Sequence, residues 1–388
     1  AGMALRIAAD VGGTFTDVTI FDESRGTLSL GKALTTPERL VDGIASGVVE
    51  GKGSFAHASL FLHGSTVAIN ALLERKGAKT ALLTTRGFRD VYEIGRINRP
   101  DAYNLFFRKH VPLVPRSLRF EVDERVSASG EVIVALDEPA LEEVAVALER
   151  AGVEALAILF LHCYANPDHE QRAKRYFEKR FPEMFVTASH ELSQEYREFE
   201  RTSTVAANAW VGRTVKDYIG GIEQHLDAEK FRGRFLVMQS TGGLFDSARA
   251  RSECVRMLES GPAAGVIATQ ALCPEIGLDR AIAFDMGGTT AKAGVVIDGR
   301  ALSANSVMVG GYAEGLPIQI PMLDIQEVGT GGGSIARLAE GGGIRVGPDS
   351  AGAVPGPACY RRGGDQPTVT DANLVLGRLA ADRFLGGE

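Results

Sequence analysis

The sequence predicts an α/β fold of two duplicated halves with mixed sheets, and three observations predict it. Apolar, strand-sized runs alternate with amphipathic helical stretches along most of the chain. An acidic glycine hairpin, Asp10-Val11-Gly12-Gly13-Thr14, returns 275 residues later as Asp285-Met286-Gly287-Gly288-Thr289. Glycine makes up 46 of 388 residues while 45% of the chain stays apolar, so the surplus belongs in tight loops and not in low-complexity sequence. At roughly 150 residues per domain, the length accommodates two or three domains.

The elements follow in order. Residues 5–9 form a strand ending at Asp10, Gly12-Gly13 turn the chain, and residues 16–21 and 27–33 complete an antiparallel meander. Pro37 suits the first turn of a helix that runs to about Gly51. Residues 57–62 and 79–84 read as strands around a helix with Ser65 as its cap and Gly77 as its stop. Such strand–helix–strand units imply parallel pairing with right-handed crossovers. Residues 86–137, with Pro100, Pro112 and Pro115, many arginines and the aromatics Tyr92, Tyr103, Phe106 and Phe107, break the rhythm and read as an insertion or long excursion. A helix around Leu141, Val144, Ala145 and Leu148 resumes it, followed by strands at 154–161 and 184–188 around a helix opened by Asn166-Pro167. Residues 195–226 are largely helical, and residues 235–239 form a strand ending in Ser240-Thr241-Gly242-Gly243. Glu259-Ser260-Gly261 leads into a helix over 262–272. The opening pattern then repeats, with strands at 280–284, 291–297 and 301–309 before a glycine- and proline-rich stretch. These features divide the chain into a first half (4–190), connecting helices and a strand (191–278), and the start of a second half (279–388).

Composition and spacing exclude several classes. A net charge of −7 lacks the basic footprint of a nucleic-acid binder. No apolar run reaches the ~18–20 residues of a membrane helix, so a cytoplasmic protein is expected. Cys163, Cys254, Cys273 and Cys359 lie far apart and read as reduced thiols. There is no G-x-S-x-G elbow and no G-x-x-x-x-G-K-[ST] loop. His162, Cys163, Asp168 and His169 are close in sequence, but adjacent residues at a strand end face opposite ways, which argues against a metal site.

The paired hairpins carry the chemistry. Each sets a carboxylate at a strand end, two glycines in the turn and hydroxyls just after. Glycines let backbone N–H groups approach an anion closely. The aspartates cannot meet phosphate directly, but they can hold a hydrated Mg²⁺ that bridges phosphate oxygens. Asp10 and Asp285 are therefore the expected metal organisers. Gly12, Gly13, Thr14, Thr16, Gly287, Gly288, Thr289 and Thr290 are the expected phosphate contacts, and Lys292 is a candidate for the terminal phosphate. Gly331 and Gly332 form a further candidate anion loop.

The hairpin pair resembles the two phosphate segments of the actin-like ATPase superfamily, which implies ribonuclease-H-like halves with ATP between them. Further strings narrow the match. They are residues 8–17, His63-Gly64-Ser65-Thr66-Val67-Ala68-Ile69-Asn70-Ala71, Thr85-Arg86-Gly87-Phe88-Arg89-Asp90 and Glu259-Ser260-Gly261-Pro262-Ala263-Ala264-Gly265. Gly331-Gly332-Gly333-Ser334-Ile335-Ala336 and residues 350–360 and 368–377 complete the set. Together they resemble the hydantoinase A/5-oxoprolinase family from about residue 5 to 386. That resemblance implies an ATP- and Mg²⁺-using subunit that works with a hydantoinase B-type partner and activates a carbonyl oxygen by phosphorylation. The reaction implied is opening of a cyclic amide (hydantoin, 5-oxoproline or lactam). Carboxylation of a ketone such as acetone or acetophenone is the alternative, and a non-catalytic nucleotide-responsive scaffold a third. The family's glycine-rich adenosine-side segment is not found here. The second half is therefore expected to be incomplete, with apolar sheet surface left open.

Weaker candidates complete the reading. His63, Ser65, Thr66 and Asn70 lie on a strand–helix junction, where substrate groups often sit. Arg89 heads a dense charge cluster with Asp90, Glu93, Arg96 and Arg99. It suits either a clamp for a carboxylate or bicarbonate, or a surface network. Asp123-Glu124-Arg125 reads as structural, and Gly341–Gly343 as a hairpin turn.

Overall fold

Strands β1 (Leu5–Val11), β2 (Phe15–Asp22) and β3 (Thr27–Leu34) form the expected antiparallel meander, because polar, glycine-bearing turns separate alternating apolar runs. The computed structural model describes residues 4–13, 15–36, 39–97, 102–288, 290–311, 315–352 and 354–381. Helix α1 (Leu40–Glu50) crosses β2 and β3 at very close range. A Cβ on Gly47 would come within 2.5 Å of Val18, and one on Gly31 within 1.9 Å of the Gly47 carbonyl. Only glycine permits that approach. Pro37, the expected start of this helix, lies outside the described residues.

Next come β4 (Ala58–Ser65), α2 (Val67–Leu73), β5 (Thr80–Thr85) and the short α3 (Val91–Ile94). The expected insertion is partly regular: β6 (Arg119–Val122) joins β5 in parallel, and β7 (Arg125–Val126) pairs with β8 (Val132–Val134). Helix α4 (Glu138–Ala151) has clear sequence causes. Asp137 accepts from the Ala140 amide, worth about 1 kcal/mol, and Gly152 closes the helix in the left-handed region. Its buried stripe is Leu141, Val144, Ala145 and Leu148. Strand β9 (Ala155–Leu159), helix α5 (Asp168–Arg180) and strand β10 (Phe185–Ala188) complete a parallel sheet of order β10-β9-β5-β6.

Helix α6 (Glu198–Ala228) is buried along much of its length, and its small residues Thr202, Ser203, Thr204, Ala206, Ala207 and Ala209 let neighbours pack close. Strand β11 (Arg234–Met238) pairs in parallel with β4, and β12 (Leu244–Asp246) pairs with β11. The segment expected to connect the halves thus supplies both a strand and a core helix to the first, giving the sheet order β12-β11-β4-β1-β2-β3.

After the short α7 (Ser247–Ala250), helix α8 (Ser260–Glu275) leads to β13 (Arg280–Met286) and β14 (Ala291–Ile297). The expected third strand of this half is broken into β15 (Arg300–Ala301), β16 (Ser303–Ala304) and β17 (Val307–Val309). Strands β18 (Leu316–Ile318) and β19 (Met322–Leu323) pair with β17 and β16. Strand β20 (Ile325–Val328) takes the place beside the start of β14. The hairpin β21 (Ser334–Leu338) and β22 (Ile344–Ser350) and helix α9 (Val369–Val375) follow.

Helix α8 covers one face of β13–β14 through Val266, Val296 and Ala263. The other face is open, with Ile282 69% and Phe284 63% exposed. Strand β1 has β4 along its second edge, whereas among the described residues β13 pairs only with β14. Of the cysteines, Cys163, Cys254 and Cys273 are buried and Cys359 is partly exposed, all as thiols. No helix among the described residues is long and apolar enough to cross a membrane.

Candidate functional site

The two acidic hairpins are closed by the same bond. The Gly12 amide donates to the Phe15 carbonyl at 2.9 Å, and the Gly287 amide donates to the Thr290 carbonyl at 3.0 Å. The amides of Gly13 and Gly288 make no hydrogen bond among the described residues, so each turn keeps a donor for an anion. Thr14 and Thr289 lie outside the described residues.

Asp10 ends β1 between Asp17 across the hairpin and Gly64 on the parallel side. Its Oδ1 is buried without a hydrogen-bond partner among the described residues. Burial pushes the carboxyl up to about 6. The charges of Asp17 and Asp285 add to that rise, while Lys292 and Lys32 oppose it. Asp285 is thus near enough to be felt at Asp10, and the hairpins share one electrostatic site. A buried carboxylate oxygen with no partner among the described residues, within electrostatic reach of a second aspartate, fits a hard divalent cation. Among the described residues no cluster of three or more His, Cys, Asp or Glu could hold a metal. Mg²⁺ here would therefore rely on phosphate oxygens and water for its remaining ligands, with Asp10 and Asp285 as the protein's contribution.

Helix α8 joins the two hairpins. Ser260 Oγ donates to the Ser65 carbonyl at 2.9 Å and accepts from the Ser65 amide at 2.8 Å, docking the helix start on the end of β4. Gly261 then lies against Asp10, where an added Cβ would be 2.5 Å from Oδ1. Glu259, just before the helix, binds Lys292 Nζ through Oε2 at 2.7 Å. Lys292 stands opposite Asp285 in the β13–β14 ladder. A cavity under α8 is lined by Gly265, Asp285 and Lys292 among others. Composition gave no role to Glu259 or Gly261. The local signals are Pro262, which suits the first turn of a helix, and the Glu259–Gly265 string that carries part of the family resemblance.

Several expected contacts are corrected. Thr16 is fully buried, and its hydroxyl donates to Thr35 Oγ1, which in turn donates to the Gly12 carbonyl. It braces the first hairpin and does not face the cleft. Gly331 and Gly332 already use their amides. Gly332 donates to the Gly287 carbonyl at 2.8 Å and Gly331 donates to Ser334 Oγ at 2.9 Å. They buttress the second hairpin instead of offering free donors. Lys292 is held by Glu259 and is not a free cation.

His63 is also not a surface group. It is buried, its Nδ1 donates to the Ala9 carbonyl at 3.1 Å, and its Nε2 accepts from the Tyr218 hydroxyl at 2.8 Å. Burial lowers its pKa to about 4, so the ring is neutral. This Tyr218–His63–Ala9 chain ties α6 and β4 to β1 directly beneath Asp10. Ser65 is likewise buried, with its Oγ accepting from the Val67 amide. Thr66 and Asn70 bond to each other at 3.2 Å, and Asn70 lies beside Gly13 at the hairpin. Arg89 is elsewhere, near Glu121 on β6, and its neighbours form separate ion pairs: Asp90 with Arg116, Glu93 with the buried Arg119, Arg96 with Glu200. Arg99 lies outside the described residues. Glu124 is buried with His169 and Thr85, a structural cluster as expected.

Two halves, each opening on an acidic glycine hairpin, with one helix bridging them, define an actin-like ATPase-type fold. Residues 6–181 match the hydantoinase/oxoprolinase N-terminal region and residues 201–388 match the hydantoinase/oxoprolinase model. The chain belongs to the hydantoinase/oxoprolinase family. It is 36% identical to the caprolactamase alpha subunit of Pseudomonas jessenii, over 98% of this chain and 56% of that one. It is 33% identical to the 5-oxoprolinase of Saccharomyces cerevisiae, over 98% and 32%. Among solved structures, nucleotide-free acetone carboxylase superposes with a TM-score of 0.82 at 28% identity, covering 99% of this chain and 57% of that one. The ATP-dependent caprolactamase of Pseudomonas jessenii does so at 0.79 and 36%, covering 97% and 55%. The chain thus spans a little over half the length of the two matched structures.

Proposed function

We propose that this chain is the ATP-binding part of an enzyme that opens a cyclic amide by phosphorylating its carbonyl oxygen, acting with a partner subunit. The observation that carries the reading is the pair of matching hairpins, closed by the same Gly amide to carbonyl bond, with Asp285 within electrostatic reach of the Asp10 carboxyl. Phosphoryl transfer is catalysed mainly by positioning and charge neutralisation. Asp10 and Asp285 would hold Mg²⁺, which when bound neutralises phosphate charge. The free amides of Gly13 and Gly288 would fix the phosphates from opposite walls. An amide carbonyl is a poor electrophile, and a phosphate on its oxygen supplies the leaving group that water attack needs. Relatives named 5-oxoprolinase and caprolactamase alpha subunit support this substrate class, and the word subunit supports a partner.

The likeness to acetone carboxylase favours a second reading, in which the same phosphorylation activates the ketone or bicarbonate. The test is phosphate release from MgATP by the full-length protein with its partner. One arm adds 5-oxoproline, hydantoin or caprolactam, and the other adds acetone with bicarbonate. Stimulation and ring opening in the first arm are expected. Stimulation only in the second selects the carboxylase, and absence of nucleotide binding refutes both.

A further inference from the structure

We propose that Glu259 is the proton acceptor of this cleft and that Lys292 holds it in place. The inference rests on the function proposed above and adds a catalytic residue to it. Glu259 sits where three elements meet. Its amide donates to Ser240 Oγ at 3.0 Å, which fixes the backbone at the end of β11. Its Oε2 meets Lys292 Nζ at 2.7 Å, with the two side chains only 15% and 13% exposed. Two residues on, Gly261 touches Asp10, and Lys292 itself faces Asp285 across the ladder. Glu259 is therefore linked to both acidic hairpins, through Gly261 to Asp10 and through Lys292 to Asp285. Its second oxygen, Oε1, makes no hydrogen bond among the described residues, which leaves one carboxylate oxygen oriented by the ion pair and available for a proton.

The surroundings suit that task. Burial raises the Glu259 carboxyl, Lys292 opposes the rise and Glu327 adds to it. Burial makes this carboxylate bind a proton more readily than one in water. Asp10 and Asp285 are assigned to the metal, and His63 is sealed beneath the sheet with both nitrogens bonded. Asp17, across the hairpin from Asp10, is already paired with Lys32 Nζ at 2.7 Å, and Glu259 keeps an oxygen with no hydrogen bond among the described residues for proton transfer.

The step balances without an added reagent. When the amide oxygen bonds to the γ-phosphorus, the bridging P–O bond breaks and ADP leaves. The amide N–H bond also breaks, and its electron pair becomes the C=N bond of the O-phosphorylated imidate. The proton goes to Glu259 Oε1. Bicarbonate in the carboxylase reading would lose its O–H proton to the same atom.

The test compares the full-length wild type with Glu259→Gln and Glu259→Asp in the assembled protein. Calorimetry measures affinity for MgATP and for a non-hydrolysable analogue, and a second assay measures phosphate release from MgATP with 5-oxoproline, hydantoin or caprolactam. General-base removal typically costs at least about 100-fold. Glu259→Gln should lose that much turnover while its nucleotide Kd stays within about threefold, and Glu259→Asp should recover part of the rate. Wild-type turnover in Glu259→Gln overturns the assignment, as does a parallel fall in affinity and rate, which marks a structural role. Should Glu259→Gln unfold, the aspartate variant decides: unchanged affinity with slower turnover supports the assignment, and an unchanged rate overturns it. A wild type that binds no nucleotide overturns both readings, so their failures are distinguishable.

Discussion

Replacing Asp10 by asparagine should make the protein more stable at neutral pH while removing its metal–nucleotide chemistry. The carboxyl is raised from 3.8 to about 6, first by burial and then by Asp17 and Asp285. A group whose folded pKa lies above its unfolded value favours folding fully only below the unfolded value. That contribution is lost as pH rises through the folded one. A rise of about two units corresponds to about 3 kcal/mol at 1.36 kcal/mol per unit. Between pH 4 and pH 7 the wild type should therefore lose about 3 kcal/mol relative to Asp10→Asn, with the difference level above pH 7. Denaturation of both proteins in urea at a series of pH values measures this, in the absence of divalent metal. Calorimetry with MgATP should show the binding heat of the wild type and none in the variant. Stability curves that run parallel across the whole pH range would refute the claim that Asp10 is buried against its charge. Undiminished MgATP binding by the variant would refute its place in the metal site.

Two further substitutions test the supports of that site. Gly261→Ala places a methyl 2.5 Å from Asp10 Oδ1 and should cost about 1–3 kcal/mol as overpacking. Gly265→Ala, on the same helix with nothing within 4 Å, should be neutral or gain about 0.5–1 kcal/mol, and thermal melts distinguish the two. Tyr218→Phe removes the donor to buried His63 Nε2 and should cost about 1–3 kcal/mol. Equal melting of Tyr218→Phe and wild type would show that the chain beneath Asp10 does not fix β4 to β1.

Much of the framework was legible because its causes are local. The turns at Gly12-Gly13, 22–26 and Gly287-Gly288 are written in a few adjacent residues, as are the Asp137 cap and Gly152 stop of α4. Strand β6 was not legible, since Arg119–Val122 is strand-like only through its pairing with β5. The continuous third strand expected at 301–309 failed for a related reason: β20, from farther along the chain, occupies the ladder positions beside Ala291–Gly294.

The candidate site divides in the same way. Sequence by itself determined the two acidic hairpins and their repetition, because a carboxylate and two glycines in a turn act through their own backbone. Tertiary structure alone decided what faces them. It buried Thr16 and His63 as braces, turned Gly331 and Gly332 into supports for the second hairpin, and brought Glu259 to Lys292 across 33 residues. A side chain's burial and partner depend on elements distant in the chain, and no spacing rule within one segment encodes them.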